Sequence, residues 1–194
     1  MKEAKVKLYS WDEYIKRFEA ILNNKNPEKP YDNPDYFNYL KLNYNRQNRW
    51  LKKGDLNDDL VQKIKEIKNK QHWVLITEPW CGDAAHSIPF IKLIANKNPK
   101  IKLSFVWRDK PPFMINNYLT NGGKSVPKLI IRDSKENDLA TWGPRPAPCQ
   151  NLFHQLRSEN ADFEKQKIEL QKWYNNDKGQ TLQKELIELI AKII

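Results

Sequence analysis

Four residues in a row, Trp80-Cys81-Gly82-Asp83, combine a thiol with an aromatic neighbour, a glycine and an acid. They stand directly after a run of β-forming residues, His72 to Thr77, and before an amphipathic segment from about Asp83 to Asn96. A cysteine at such a strand–helix junction faces unpaired backbone N–H groups and the positive end of the helix dipole. Both favour the thiolate, which is the nucleophile of disulfide exchange. Trp80 would cover one side of the sulfur, and Gly82 would let a partner approach closely. The bland alternative is a small buried cysteine that fills a gap, and the junction favours chemistry over it. Asp83 pulls in two directions: an acid in the first helical turn supports the helix, while its charge raises the thiol pKa. The sequence leaves that competition open.

Other reactive side chains are few. A second cysteine, Cys149, brings the total to two, too few for a disulfide framework or a four-cysteine zinc site. Its place at the start of a later helix is expected to hold it beyond the ~7 Å between Cα atoms that a disulfide tolerates. His86 lies five residues after Cys81 and off its helical face, so a Cys–His dyad is not expected and His86 reads as a partly exposed surface histidine. His72 and His154 show no ligand spacing with either cysteine, and neither a metal site nor a cofactor is expected. Glu78 is either a surface acid or a group that sets the charge of the mouth. Arg108, Asp109, Arg132 and Arg145 follow strand ends, where they could pair with one another or meet a substrate.

The elements that must position these groups fall into three stretches. Residues 1–70 read as a helical extension. Ser10-Trp11-Asp12-Glu13 is a capping box, followed by Tyr14, Ile15, Phe18 and Ile21 at helical spacing. Asn33-Pro34 is an N-cap with a first-turn proline, opening a helix that ends near Gly54, and a third helix begins around Asn57–Asp58. Residues 71–155 read β-α-β-α-β-β plus a helix, with strands at 72–77, 101–107, 128–132 and 139–142 and a short second helix over Phe113–Leu119. Residues 156–194 continue as helix packed on that core, with a break at Asn175 to Gly179.

Four landmarks in register resemble the thioredoxin superfamily. Trp80-Cys81-Gly82 is similar to its active-site turn, and Pro89 stands where thioredoxins have a helix-kinking proline. Ser125-Val126-Pro127 resembles the loop whose cis-proline faces the active cysteine, and Gly143, sixteen residues on, the glycine that opens the substrate groove. A closer likeness is to bacterial thioredoxin-family proteins with a helical N-terminal extension and segments such as Trp80-Cys81-Gly82-Asp83-Ala84 and Trp142-Gly143-Pro144-Arg145-Pro146. The resemblance implies an α/β, three-layer α/β/α sandwich with a mixed sheet and added helices at both ends. It further implies Cys81 as nucleophile, with Trp80, Gly82, Asp83, Val126, Pro127, Trp142 and Gly143 forming a groove for an extended substrate. Two departures matter: Ala84 stands where a resolving cysteine would be, and Leu75 where a buried carboxylate would be. Cys81 could therefore form a mixed disulfide but not resolve it within the motif.

The implied function is a monothiol protein exchanging disulfides with a protein or a low-molecular-weight thiol. The alternatives are a non-catalytic peptide-binding module or thiol sensor, and a basic adaptor for an anionic partner. The 194 residues carry a net charge of +10, shared equally by residues 1–70 and 71–150, with a neutral remainder. Tyrosines and bases on the second helix, among them Tyr36, Tyr39, Arg46, Arg49 and Trp50, could face nucleic acid. A helix packing aromatics inward and solvating its lysines explains them better, and no nucleic-acid motif accompanies them. No apolar run nears the ~20 residues of a membrane span, and the first residues lack the apolar region of a secretory signal, so a cytoplasmic location is expected.

Overall fold

The computed structural model describes residues 6–194. Three helices come first: α1 (Trp11–Leu22), α2 (Pro34–Lys53) and α3 (Asp58–Lys65). Each has the start its sequence specifies. Ser10 and Glu13 exchange backbone and side-chain hydrogen bonds of 2.7 and 3.3 Å, and the side chains of Asn33 and Asn57 accept from the first free amides of α2 and α3. Strand β1 (Gln71–Thr77) follows, then α4 (Gly82–Ala95), β2 (Ile101–Trp107), β3 (Lys128–Arg132) and β4 (Asp138–Trp142). Helices α5 (Ala147–Ser158), α6 (Phe163–Asp177) and α7 (Gln180–Ala191) complete the described chain.

The four strands form one mixed sheet in the order β2-β1-β3-β4. Strand β1 pairs parallel with β2 and antiparallel with β3, and β4 returns antiparallel on β3. All seven residues of β1 are buried, as a strand covered by helices on both faces must be. The result is a thioredoxin-like α/β fold whose flanking helices include the N- and C-terminal ones. Residues before α1 add to it: Tyr9 exchanges hydrogen bonds of 2.8 and 2.9 Å with Phe105 on the outer edge of β2. Tyr14 of α1 then stacks on Phe105 at 4.4 Å, so the first helix is tied to the sheet and not tethered loosely beside it.

Two expectations are corrected. The short second helix over Phe113–Leu119 is only a single 3-10 turn, Met114–Asn117. Pro111 and Pro112 withhold two backbone donors just before it, and Phe113 is left-handed at φ 56. The C-terminal stretch breaks twice. Besides the turn at Lys178 and Gly179, the chain stops at Asn160 (φ 53), whose neighbour Ala161 donates to the Leu156 carbonyl, and Asp162 caps the next helix. That extra break frees α6 to run separately from α5.

Glycine is required at one point that positions the site. Gly143 has φ +109, and a Cβ there would run into the Pro127 carbonyl oxygen. The loop after β4 and the loop before β3 thus lie backbone on backbone, with the buried Lys128 ammonium donating to the Gly143 carbonyl at 3.1 Å. Replacing Gly143 with alanine is expected to destabilise the fold by ~2 kcal/mol or more. Urea denaturation measures this, and a loss under ~0.5 kcal/mol would show that the two loops separate freely.

Candidate functional site

Cys81 is the N-cap of α4. Its sulfur accepts from the Ala84 amide at 3.4 Å, while the S–H donates to the Val126 carbonyl at 3.1 Å. Only 5 % of the residue is exposed. The thiol is therefore wedged between the first turn of α4 and the loop before β3, where the Val126–Pro127 bond is cis. Ala84, at the position of a resolving cysteine, is buried below the thiol, and Leu75 is fully buried in β1. Cys149 is buried on α5, and both cysteines are free thiols.

The charge beside Cys81 is settled by a buried ion pair. One carboxylate oxygen of Asp83 lies 2.7 Å from the Arg145 guanidinium, and the other accepts from the Tyr174 hydroxyl at 2.9 Å. Both ionic side chains are nearly enclosed, at 12 and 13 % exposure. Burial, and secondarily the Asp83 charge, push the Cys81 thiol up to about 12. The Ala84 and Asp83 amides and the Arg145 cation pull the other way and lose. The helix terminus thus does not activate this cysteine in its resting state. Cys149 is also pushed up to about 12, by burial first and then by Asp83.

The expectation of a partly exposed His86 is overturned, since it is 4 % exposed. The Trp50 indole, which can only donate, gives its N–H to His86 Nδ1 at 2.9 Å. Nε2 must then carry the proton, which it donates to Gln171 Oε1 at 3.2 Å. The ring stacks on Tyr174, 4.4 Å between centroids with planes 3° apart. Burial, with Arg46 and Arg49 adding to it, pushes His86 down to about 3. No periodic signal in the chain marks this burial, because the partners lie 36 and 85 residues away.

A cleft of about 200 Å³ opens beside the thiol. Trp80, Cys81, Gly82 and Asp83 line it together with Tyr39 and Arg46 of α2, Arg145 of the loop before α5, Phe153 of α5, and Phe163, Lys167 and Tyr174 of α6. Gly82 allows a close approach here, since a Cβ would press on the Tyr39 hydroxyl and push that side chain aside. Asn43 anchors α2 to the turn by donating to the Pro79 carbonyl at 3.2 Å. Val126, Pro127 and Gly143 sit across the sulfur from this cleft and do not line it. Trp142 is buried, and its indole donates to Glu185 of α7 at 2.6 Å. In the sequence Tyr39 and Arg46 read as part of a helix packing its aromatics inward, and the helix before Asn175 as one packed on the core; no local signal marks either as bordering the thiol.

The remaining strand-end groups pair mostly among themselves. Arg108 holds Asp109 at 2.7 Å and covers the Trp80 ring at 4.5 Å, and Arg132 binds Asp138 at 2.8 Å. Glu78 is half-buried and accepts from the Asp109 amide at 2.9 Å; burial pushes it up to about 7. Among the described residues, no group of three or more His, Cys, Asp or Glu side chains could hold a metal ion.

A cysteine capping a helix after β1, held against a Val-Pro loop that leads into an antiparallel strand, is an arrangement with known counterparts. A family model described as thioredoxin matches residues 31–162. The chain belongs to the thioredoxin family. The match takes in α2 as well as the sheet, so part of the helical extension lies inside the thioredoxin region. Among curated proteins, none matches the sequence. Two solved structures share the fold over nearly the whole chain. One is a protein of unknown function from Pseudomonas aeruginosa, 15 % identical with a TM-score of 0.56, covering 94 % of this chain and 97 % of that one. The other is an HIV epitope scaffold, 14 % identical with a TM-score of 0.55, covering 94 and 98 %. Both therefore take in the helices before and after the thioredoxin sheet. No helix among the described residues is long and apolar enough to cross a membrane.

Two measurements test the electrostatics. Asp83→Asn removes the anion beside Cys81 and leaves the Arg145 cation, so the thiol pKa falls and alkylation by iodoacetamide at pH 8 speeds up about tenfold. An unchanged rate would mean that burial alone sets the proton. His86 is neutral when folded, while the unfolded chain takes up a proton below about pH 6.5. Stability is therefore lost as pH falls from about 6.5 toward 3. Between pH 7 and 5, His86→Gln is expected to lose ~2 kcal/mol less than wild type in urea titrations. Equal losses would contradict the buried neutral ring.

Proposed function

We propose that this thioredoxin-family protein is a monothiol acting through Cys81, which forms one mixed disulfide with a protein or small-molecule partner in a reducing, cytoplasmic setting. The observation that supports it best is the sulfur's position. Cys81 caps α4, touches the carbonyl before Pro127 and borders the cleft. In the reaction Cys81 gives up its proton, its thiolate attacks one sulfur of a disulfide R–S–S–R′, and the leaving R′–S⁻ takes up a proton. Because Ala84 bears no sulfur, the new bond persists until an outside thiol attacks it. A thiol held at about 12 is ionised in roughly one molecule in 10⁵ at pH 7. Exchange is accordingly slow at rest.

That same burial supports a second reading, a binding module whose cysteine is inert or senses oxidants only when exposed. The polyanion-adaptor reading has no comparable support. Arg46 lies over Tyr39 at 5.2 Å, and Arg49 lies over Trp50 at 4.4 Å and donates to Asn175 at 2.8 Å.

Exposure of the Cys149→Ala protein to a small disulfide at pH 8, followed by intact mass spectrometry, separates the two remaining readings. The exchange reading expects a single adduct that added thiol releases and that Cys81→Ser abolishes. If the folded protein gains no adduct over hours, the binding-module reading replaces it.

A further inference from the structure

The cleft beside Cys81 carries more positive charge than its own residues neutralise. Asp83 is the one acid among its lining residues, and Arg145 occupies that carboxylate at 2.7 Å. Arg46 has no carboxylate partner among the described residues. It donates Nη1 to Asn43 at 2.8 Å, and its Nε is buried without a hydrogen-bond partner. Lys167 meets Glu164 at 2.7 Å, but that acid is 71 % exposed and stands outside the cleft. Each cation lies over an aromatic ring: Arg46 on Tyr39 at 5.2 Å, Arg145 on Phe153 at 4.1 Å, Lys167 on Phe163 at 5.2 Å. Those rings shield the charges from water without compensating them. A half-enclosed guanidinium with unspent donors fits a carboxylate, which accepts two parallel hydrogen bonds.

Size and closure point to a small molecule. The cleft is about 200 Å³, below the range typical of drug-sized ligands. Helix α6 supplies Phe163, Lys167 and Tyr174 as the wall opposite Cys81, and Tyr174 is fastened to Asp83. An extended polypeptide would need that wall to move.

We propose that the cleft selects low-molecular-weight disulfides bearing a carboxylate, with Arg46 as its anion contact and Lys167 at its rim. This rests on the mixed-disulfide reading and assigns it a substrate class. The Cys81 sulfur bonds to one sulfur of the ligand, the ligand's S–S bond breaks, and the departing carboxylate-bearing thiolate takes the proton lost by Cys81.

The test uses the full chain with Cys149→Ala and three symmetrical disulfides, of mercaptopropionate (anionic), mercaptoethanol (neutral) and cysteamine (cationic). Rates of adduct formation at pH 8 and low salt are divided by those of an unstructured cysteine peptide, which removes intrinsic reactivity. The anionic disulfide is expected to be favoured about tenfold over the cationic one. Arg46→Gln should erase most of that preference, and Arg46→Lys should retain much of it. A preference no greater than the peptide's, or one unchanged in Arg46→Gln, overturns the proposal. Binding of the redox-inert thioether methylthiopropionate to Cys81→Ser, followed by NMR shifts, reads the cleft without chemistry and should weaken in Arg46→Gln. If the thioether binds but no disulfide reacts, the exchange reading fails and the carboxylate site stands. If all three disulfides react equally and the thioether does not bind, exchange stands and the carboxylate site fails. Neither reaction nor binding overturns both.

Discussion

The contact between Asp83 and Arg145 governs both the shape and the chemistry of this site. Two ionic side chains withdrawn from water are costly to keep unless they satisfy one another and find further hydrogen bonds. Here the Tyr174 hydroxyl and Gln150 supply those bonds at 2.9 and 3.1 Å. Because Asp83 belongs to α4, Arg145 to the loop that leads into α5, Gln150 to α5 and Tyr174 to α6, meeting this demand brings three helices to one point. That point is two residues from the thiol. The same pair therefore fixes the walls of the cleft and sets the field in which Cys81 holds its proton. Opening it would expose an arginine and a carboxylate and take from the thiol the cation that favours its ionised form.

The helices added to the thioredoxin sheet act on this site from two sides. Helix α2 reaches it through Asn43, Tyr39 and Arg46, and α6 through Gln171 and Tyr174. Between them His86 is fixed as a neutral ring with a single tautomer, accepting from Trp50 and donating to Gln171. This is a structural histidine joining α2, α4 and α6, and its neutrality keeps a further cation out of a cleft already bordered by three. An open groove beside the Cys81 turn has in this way become a walled one. The side facing Val126 and Pro127 remains distinct, because the thiol lies between the two.

Local signals in the sequence were strong where the physics is local. The Ser10–Glu13 capping box, the Asn33-Pro34 helix start and the four strands are each specified within a few residues. The Cys81 turn, too, carried its own signature. The position of α6 could not be read in this manner. Its links to the site run from Tyr174 to Asp83 and from Gln171 to His86, across 91 and 85 residues, and no spacing rule encodes such contacts. His86 looked exposed because it is polar and off the cysteine's face. Its burial rests on Trp50 and Tyr174, which arrive from opposite ends of the chain. Arg145 could be placed at a strand end, but the choice between ion pair and ligand contact required knowing that Asp83 lay opposite.

The competition that the sequence left unresolved at Asp83 now has a physical answer, and it bears on what a single cysteine can do. A helix N-terminus lends about half a charge to its cap, spread over amides of which only some reach Cys81. Asp83 brings a full charge, and burial removes the water that would screen it. In a site with a second thiol, that thiolate attacks the mixed disulfide and the partner's sulfur leaves. With Ala84 in that place an outside thiol must do this, and Cys81 itself is then the leaving group, so a high pKa slows release as well as attack. A protonated, enclosed thiol has a compensating merit: it resists indiscriminate oxidation. Arg46 and Arg145 are the cations placed to feel an incoming anion, and Arg145 is already bound to Asp83, which adds to burial in keeping the thiol protonated. An anion that drew Arg145 away would leave Asp83 unpaired and remove the cation that favours the thiolate, so a ligand that is to react at Cys81 is better held by Arg46, with the Asp83–Arg145 pair kept closed.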